Sequence, residues 1–210
     1  MINIFLNYFV LAWSIIFGLI LISYDRFYYV VIIMLLSFLI YRLLESFLTS
    51  RDSLTVKNDW TLWLTSIIYF VLILLGYVEF ISVKILVNPI ITICGVILAV
   101  SSSYLRRLCI KTLSDQWSIY IIETNLYEYR LLKIGPYKRI RHPIYLSYII
   151  DIISVVLILN SYYTLILSLI LLPIVYGFRV KREEIVMRSR FGIQYDDYVQ
   201  ETKRFVPFIY

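Results

Sequence analysis

The 210-residue chain is 61% hydrophobic and only 16% charged, a balance that excludes a soluble globular domain of this size and points to an integral membrane protein. The formal net charge of +6 is not a nucleic-acid signature in such a chain; its distribution reports orientation and contact with anionic lipid. Two cysteines, Cys94 and Cys109, and a single histidine give neither a disulfide pattern nor a zinc site, so no metal is expected.

Six apolar segments follow in chain order, roughly over 3–24, 27–48, 60–82, 85–104, 144–160 and 162–178. They are continuous rather than alternating, so they read as helices and not as barrel strands. The first, within MINIFLNYFVLAWSIIFGLILISYDR, has no early Lys or Arg and no small-residue cleavage site. It reads as a retained membrane helix rather than a signal peptide. The second carries Arg42 and Glu45 near its end, which brings its final turns to the interface. At about 1.5 Å per residue the first four segments can cross a hydrocarbon core of about 30 Å. The last two reach only about 24–26 Å by the same rise. LNSYY (159–163) separates them and leaves room for a tight turn, so they form a helical hairpin that just spans or stops short. The expected fold is all-α: a polytopic membrane helical bundle of about five or six transmembrane helices.

Lys and Arg set the orientation. Segment 105–142 holds eight of the twenty and segment 179–210 holds seven, so both face the cytoplasm under the positive-inside rule. The two apolar segments between them return the chain to the same side. Four crossings before residue 105 put the N-terminus in the cytoplasm; three put it outside. The chain therefore divides into N-terminal transmembrane helices (1–104) and a region (105–210) in which two polar stretches flank one hairpin and must meet. A cytoplasmic site is expected where they do, built by the loop before the hairpin and the C-terminal helices.

The densest positive charge lies in GPYKRIRHPIY (135–145), beside the only histidine. Gly135-Pro136 is a loop signal. Pro143 suits the first position of a helix, where its missing N–H is not needed. His142 then sits at the cap, and the helix start with Lys138, Arg139 and Arg141 nearby is a place for an anion. A basic membrane-surface hinge is the plainer reading of the same residues.

FRVKREEIVMRSRFG (178–192) puts Val180, Glu183, Glu184, Met187 and Phe191 on one helical stripe. Two acids take inward positions, and Arg179 stands one turn before Glu183. A surface ion pair there contributes only about 0.3 kcal/mol and does not account for two acids on the inward stripe. Asp151, inside the fifth apolar segment, is a functional candidate by default, with Ser147 one turn earlier as a possible partner; a buried structural aspartate is the alternative.

Taken in order, LLKIGPYKRIRHPIYLSYI and RVKREEIVMRSRFGIQYDDYVQETKRFVPF resemble the isoprenylcysteine carboxyl methyltransferase family, with its phospholipid and small-lipid methyltransferase relatives. The elements that carry the resemblance are Gly135/Tyr137, Arg141-His142-Pro143-Ile144-Tyr145, Arg179/Glu183-Glu184, Phe191-Gly192/Tyr195/Tyr198 and Arg204/Pro207. LRRLCIKTLSDQWSIYII (105–122) is similar to the helix that leads into that family's cofactor site, and the first hundred residues match only as membrane helices. The resemblance implies an integral membrane enzyme that uses S-adenosylmethionine and releases S-adenosylhomocysteine. It implies cofactor contacts from Tyr129, Arg130, Leu131, Leu132, Tyr137, His142, Pro143, Ile144, Tyr145 and Glu183, with Glu184 beside them, and substrate contact from Arg179. Arg179 and Glu183 are then the catalytic pair. The chain departs from the family at Tyr129, where histidine is frequent, and near Ser147, where glycine is. The implied partners are the lipid bilayer and a lipophilic small-molecule acceptor, first the carboxylate of an isoprenylcysteine-like compound. N-methylation of a phospholipid or O/S-methylation of another small lipid is the enzyme alternative. A small membrane transporter using Asp151 is the alternative of another class.

Overall fold

The computed structural model describes residues 59–83, 87–118, 121 and 130–205, with isolated positions at 12, 16, 37 and 40. Those isolated positions apart, the segments expected at 3–24 and 27–48 lie outside the described residues, as does Tyr129.

The described chain is helical. It comprises α1 (Trp60–Val83), α2 (Pro89–Leu113), a 3-10 turn (Ser114–Gln116), a second 3-10 turn (Gly135–Lys138), α3 (Pro143–Ile158), α4 (Tyr162–Phe191) and α5 (Ile193–Glu201). Extended backbone pairs among the described residues at one parallel bridge, between Ile140 and Lys203. Among the same residues α1, α2 and α4 are long and apolar enough to cross a membrane, and α3 is shorter.

The hairpin forms as α3 and α4, and Asn160 takes the left-handed conformation its turn requires, at φ 56°. Its second arm differs from the expectation. α4 does not end near 178 but runs on for 30 residues, about 45 Å. Only Pro173 interrupts its sequence, and membrane helices tolerate an internal proline because neighbours satisfy the backbone groups it leaves. The helix stops at Gly192, whose φ is 52°. The charged stretch is therefore a rigid extension of a membrane helix. α2 likewise starts later than expected, at Pro89, where the Asn88 side chain caps the backbone N–H of Ile90 at 3.0 Å, and runs on to Leu113.

Short α3 is the centre of the bundle, with ten of its 16 residues buried among α1, α2 and α4. Its closest neighbour is α2, and small residues make that approach possible. A Cβ built on Gly95 would lie 2.7 Å from the backbone nitrogen of Ile158 and 2.9 Å from the carbonyl oxygen of Ser154. Ala99 and Ser102 continue the seam, and the Ser102 hydroxyl donates to the Ser147 carbonyl at 2.7 Å. At the hairpin end, Glu79 of α1 closes the start of α4. Its carboxylate accepts the N–H groups of Tyr163 and Thr164 at 2.9 and 2.8 Å and the Thr164 hydroxyl at 2.7 Å. A helix N-terminus inside a membrane protein needs such partners for its unpaired N–H groups.

Candidate active site

At the other end of the bundle the turn before α3 is held from three sides. Gly135 adopts φ 57°, and a Cβ there would lie 2.9 Å from the Thr112 hydroxyl, so the turn sits directly against the end of α2. The Tyr198 hydroxyl of α5 donates to the Tyr137 carbonyl at 2.6 Å. The C-terminal segment pairs with the stretch after the turn: Arg141 N–H to Lys203 O at 2.8 Å, His142 N–H to Arg204 O at 3.1 Å, and Lys203 N–H to Arg139 O at 3.2 Å.

Arg141, in the turn before α3, lines the cavity described below and is fastened by several contacts. Its guanidinium donates to Glu184 at 3.0 Å, to the Val199 carbonyl at 3.2 Å and to the Thr202 carbonyl. Arg204 takes the other Glu184 oxygen at 2.9 Å. Glu184 is thus the centre of a clasp that fastens α4 to the C-terminal segment. Lys138 and Arg139 are exposed. The sequence pattern showed the charges but not which of them pair.

His142 is the N-cap of α3, and Pro143 opens the helix. The imidazole is 4% exposed and stacks on Tyr145 with ring centroids 5.6 Å apart and planes within 5°. Nδ1 lies 3.3 Å from Glu183 Oε2 and Nε2 lies 3.5 Å from Glu184 Oε1. Neither contact has hydrogen-bond geometry: Nε2 and Glu183 Oε2 are both buried without a hydrogen-bond partner. Burial on its own pushes the imidazole pKa down; the carboxylates of Glu183 and then Glu184 outweigh it and hold His142 above the ordinary histidine value.

Arg179 is buried too, and its partners are not the neighbours in sequence. Nε donates to the Tyr145 hydroxyl at 3.0 Å, and Nη1 donates to Asp59 at 3.2 Å and to Thr61 at 3.3 Å. Arg179 and Glu183 are therefore not a surface ion pair; one turns to Asp59 and Tyr145, the other to His142.

These groups surround a cavity of about 200 Å³. Arg130, Leu131, Leu132, Tyr137, His142, Ile144, Tyr145, Arg179 and Glu183 all line it. Pro143 and Glu184 stand behind its wall, and Tyr129 lies outside the described residues. One part of the lining is polar, with Gln116, Arg130, His142 and Glu183; another is aromatic and apolar, with Tyr69, Phe70, Tyr148, Tyr176 and Met187. Gln116, which the sequence did not single out, accepts from the Arg130 N–H and donates to its carbonyl at 3.4 Å. Its side-chain amide acts as a strand partner for the entry to 130–133. Asp59 was missed as well. As a polar residue just before an apolar run it carries the signal of a helix cap, but nothing local announces its ion pairs.

Asp151 lies behind the aromatic wall. It accepts from the Tyr69 hydroxyl and sits 3.4 Å from Arg106. Arg106 in turn donates to Ser147 at 3.3 Å and lies 4.3 Å from the centre of the Tyr148 ring. Ser147 thus meets Asp151 through Arg106 and through Ser102, whose hydroxyl reaches both the Ser147 carbonyl and Asp151; its own hydroxyl donates to Ile144 O at 2.6 Å. With both carboxylate and guanidinium 1% exposed, Asp151 is a buried, paired aspartate supporting the pocket wall. That arrangement does not favour its use as the coupling group of a transporter.

The fold is that of an integral membrane helical protein with a cavity at the polar end of its bundle. Residues 91–189 match the isoprenylcysteine carboxyl methyltransferase family. Two probable protein-S-isoprenylcysteine O-methyltransferases, from Oryza sativa subsp. indica and subsp. japonica, are each 26% identical to it over 116 residues, or 55% of this chain. The match spans 60% of the length of these curated relatives. A solved structure of the eukaryotic intramembrane Ras methyltransferase, isoprenylcysteine carboxyl methyltransferase, superimposes with a TM-score of 0.70 at 20% identity. That superposition covers 99% of this chain and 81% of the other, and at this identity it is a likeness of fold.

Proposed function

We propose that the protein is an S-adenosylmethionine-dependent methyltransferase that methylates a lipophilic acceptor, with the carboxylate of an isoprenylcysteine-like compound as the preferred one. The observation that carries this reading is that two residues lining the cavity, His142 and Glu183, each keep a buried atom, Nε2 and Oε2, without a hydrogen-bond partner. A buried polar atom without a partner is expensive to keep. A ligand that bears both anionic and cationic or hydroxyl groups supplies partners to both, and S-adenosylmethionine is such a ligand. The residues present fit it: His142 and the α3 start for a carboxylate, Glu183 for a cationic or ribose group, and the 130–132 backbone fixed by Gln116 for the remainder.

When bound, S-adenosylmethionine supplies a methyl already activated on a sulfonium, so the protein needs no covalent nucleophile. The work of this chain is to bind, orient and exclude water. Arg179 presents a planar guanidinium that pairs with an acceptor carboxylate and keeps it ionised. The aromatic side of the cavity, with Tyr69, Phe70 and Tyr148, accepts an apolar tail from the bilayer. The site faces the cytoplasm in this reading, because fifteen of the twenty Lys and Arg lie in 105–142 and 179–210. On the same reading 105–210 is the catalytic region and 1–104 its membrane support.

The test is a calorimetric titration of S-adenosylhomocysteine into purified protein, followed by transfer of radiolabelled methyl to three acceptors in parallel: a prenylated cysteine, an aminophospholipid and a lipid thiol. Saturable binding with transfer to the prenylated cysteine is expected. Binding with transfer only to the aminophospholipid moves the protein to its phospholipid methyltransferase relatives. No binding at all defeats the enzyme reading.

A further inference from the structure

Asp59 stands just before α1, in a part of the chain that the family match at 91–189 does not reach. Its carboxylate is 1% exposed, and donors from three parts of the chain converge on it. Oδ1 accepts from the Thr61 hydroxyl at 2.6 Å, the Leu62 N–H at 3.2 Å and Arg182 at 3.1 Å. Oδ2 accepts from the Ile121 N–H at 3.3 Å and from Arg179 at 3.2 Å. Capping α1 would need only an oxygen, which Ser, Thr or Asn provides as well as Asp. The two guanidiniums are what call for a full negative charge. Burial alone would raise the Asp59 pKa, and Arg179 outweighs it, so the carboxyl is held below the usual range and is charged at neutral pH.

Only one of the two arginines faces the cavity. Arg179 lines it together with Tyr145, whose hydroxyl takes Nε; Arg182 is a quarter exposed outside it. Tyr145 and Asp59 thus grip Arg179 through different nitrogens, and together they set the plane of its guanidinium. The direction from which the guanidinium can meet a planar acceptor depends on that plane. A displacement of about 1 Å at such a contact can lower turnover by about a hundredfold.

We propose that Asp59 is a positioning residue of the methyl-transfer site, acting through Arg179, so that the membrane half of the chain completes the active site. The inference rests on the methyltransferase reading. Its test uses the full chain in lipid nanodiscs with wild type, Asp59→Asn and Asp59→Glu side by side. S-adenosylhomocysteine affinity, acceptor kcat and KM, and thermal stability are measured for each. Asp59→Asn keeps an oxygen for the cap and removes the charge. It is expected to bind S-adenosylhomocysteine within about twofold of wild type while acceptor kcat/KM falls by about thirtyfold. Asp59→Glu keeps the charge and shifts it by one methylene; it is expected to recover part of the loss, to about fivefold below wild type. Should Asp59→Asn fail to fold, Asp59→Glu decides alone: unchanged acceptor kinetics overturn the proposal, and the partial loss sustains it. Equal losses of cofactor affinity and acceptor use in Asp59→Asn also overturn it, because they mark a general structural role. A wild type that binds no S-adenosylhomocysteine defeats the methyltransferase reading, and the role of Asp59 with it. An active wild type with an equally active Asp59→Asn defeats the role of Asp59 alone.

Discussion

The two ends of the bundle each bury carboxylates against a helix, and they treat them differently. At the hairpin end Glu79 accepts three hydrogen bonds from the start of α4. At the polar end Glu183 and His142 stand within 3.3 Å of one another, with an oxygen of one and a nitrogen of the other unmet. Glu79 is 8% exposed and the Glu183 side chain 23%, but the Glu183 Oε2 atom is itself buried, so burial of the polar atoms does not separate the ends. Satisfaction does. A fully met network holds a fold together, and a network left short of partners inside a cavity is prepared for a ligand.

That contrast predicts opposite outcomes for two glutamates. Glu79→Ala leaves the first N–H groups of α4 without partners in a buried place. It is expected to lower unfolding stability in detergent by about 3 kcal/mol while folded protein keeps its S-adenosylhomocysteine affinity. Thermal unfolding and calorimetry on one preparation check both halves; a large loss of affinity with stability intact would erase the distinction between the ends. Glu183→Gln is expected to do the reverse, weakening S-adenosylhomocysteine by about 2 kcal/mol, or about thirtyfold, while stability changes by less than about 1 kcal/mol. Unchanged affinity would move Glu183 to the structural side of the comparison.

The ends should also lie on opposite sides of the membrane. Cysteines placed at Lys138 and at Gln200, both exposed, in a chain whose Cys94 and Cys109 have been replaced, are expected to label from one side with a membrane-impermeant reagent. A cysteine at Tyr163, 71% exposed beside Glu79's helix start, is expected to label from the other. Labelling of Lys138→Cys and Gln200→Cys from opposite sides would take apart the site that both polar segments build.

Much of this was readable from residue types and spacing. Pro143 after His142 marked a helix start because proline is harmless only there, and Glu183 and Glu184 stood out because they occupy inward positions on a helical stripe. The length of α4 was hidden, since the change from apolar to charged residues at 178 resembles an exit from the membrane even though the backbone continues. Asp151 was half legible. Its burial followed from its apolar surroundings, but its partner Arg106 lies on another helix, whereas the sequence offered only nearby Ser147. Asp59 was hidden as a site residue, because its partner Arg179 is 120 positions away and local pattern carries no information at that distance.

The smallest expected effect is a pH dependence, and it reads the unmet pair at the polar end directly. Glu183 and Glu184 hold His142 above the ordinary histidine pKa despite its burial. The folded protein therefore keeps the imidazole proton over a range in which the unfolded chain has released it. The stabilisation from the charged imidazole is complete below the unfolded value of about 6.5. It declines as pH rises through the raised folded value and is gone above it. His142→Gln has no proton to lose, so the stability difference between wild type and variant should shrink across this window, by at most about 1.4 kcal/mol per pH unit. His142 is the only histidine in the chain, and no other side-chain type ordinarily titrates between pH 6 and 8, so the difference curve isolates it. Thermal unfolding of both proteins at half-unit steps from pH 5.5 to 8.5 makes the measurement. A difference that grows with pH would mean that the imidazole is buried neutral, and Glu183 would then need another explanation for its place on the cavity wall.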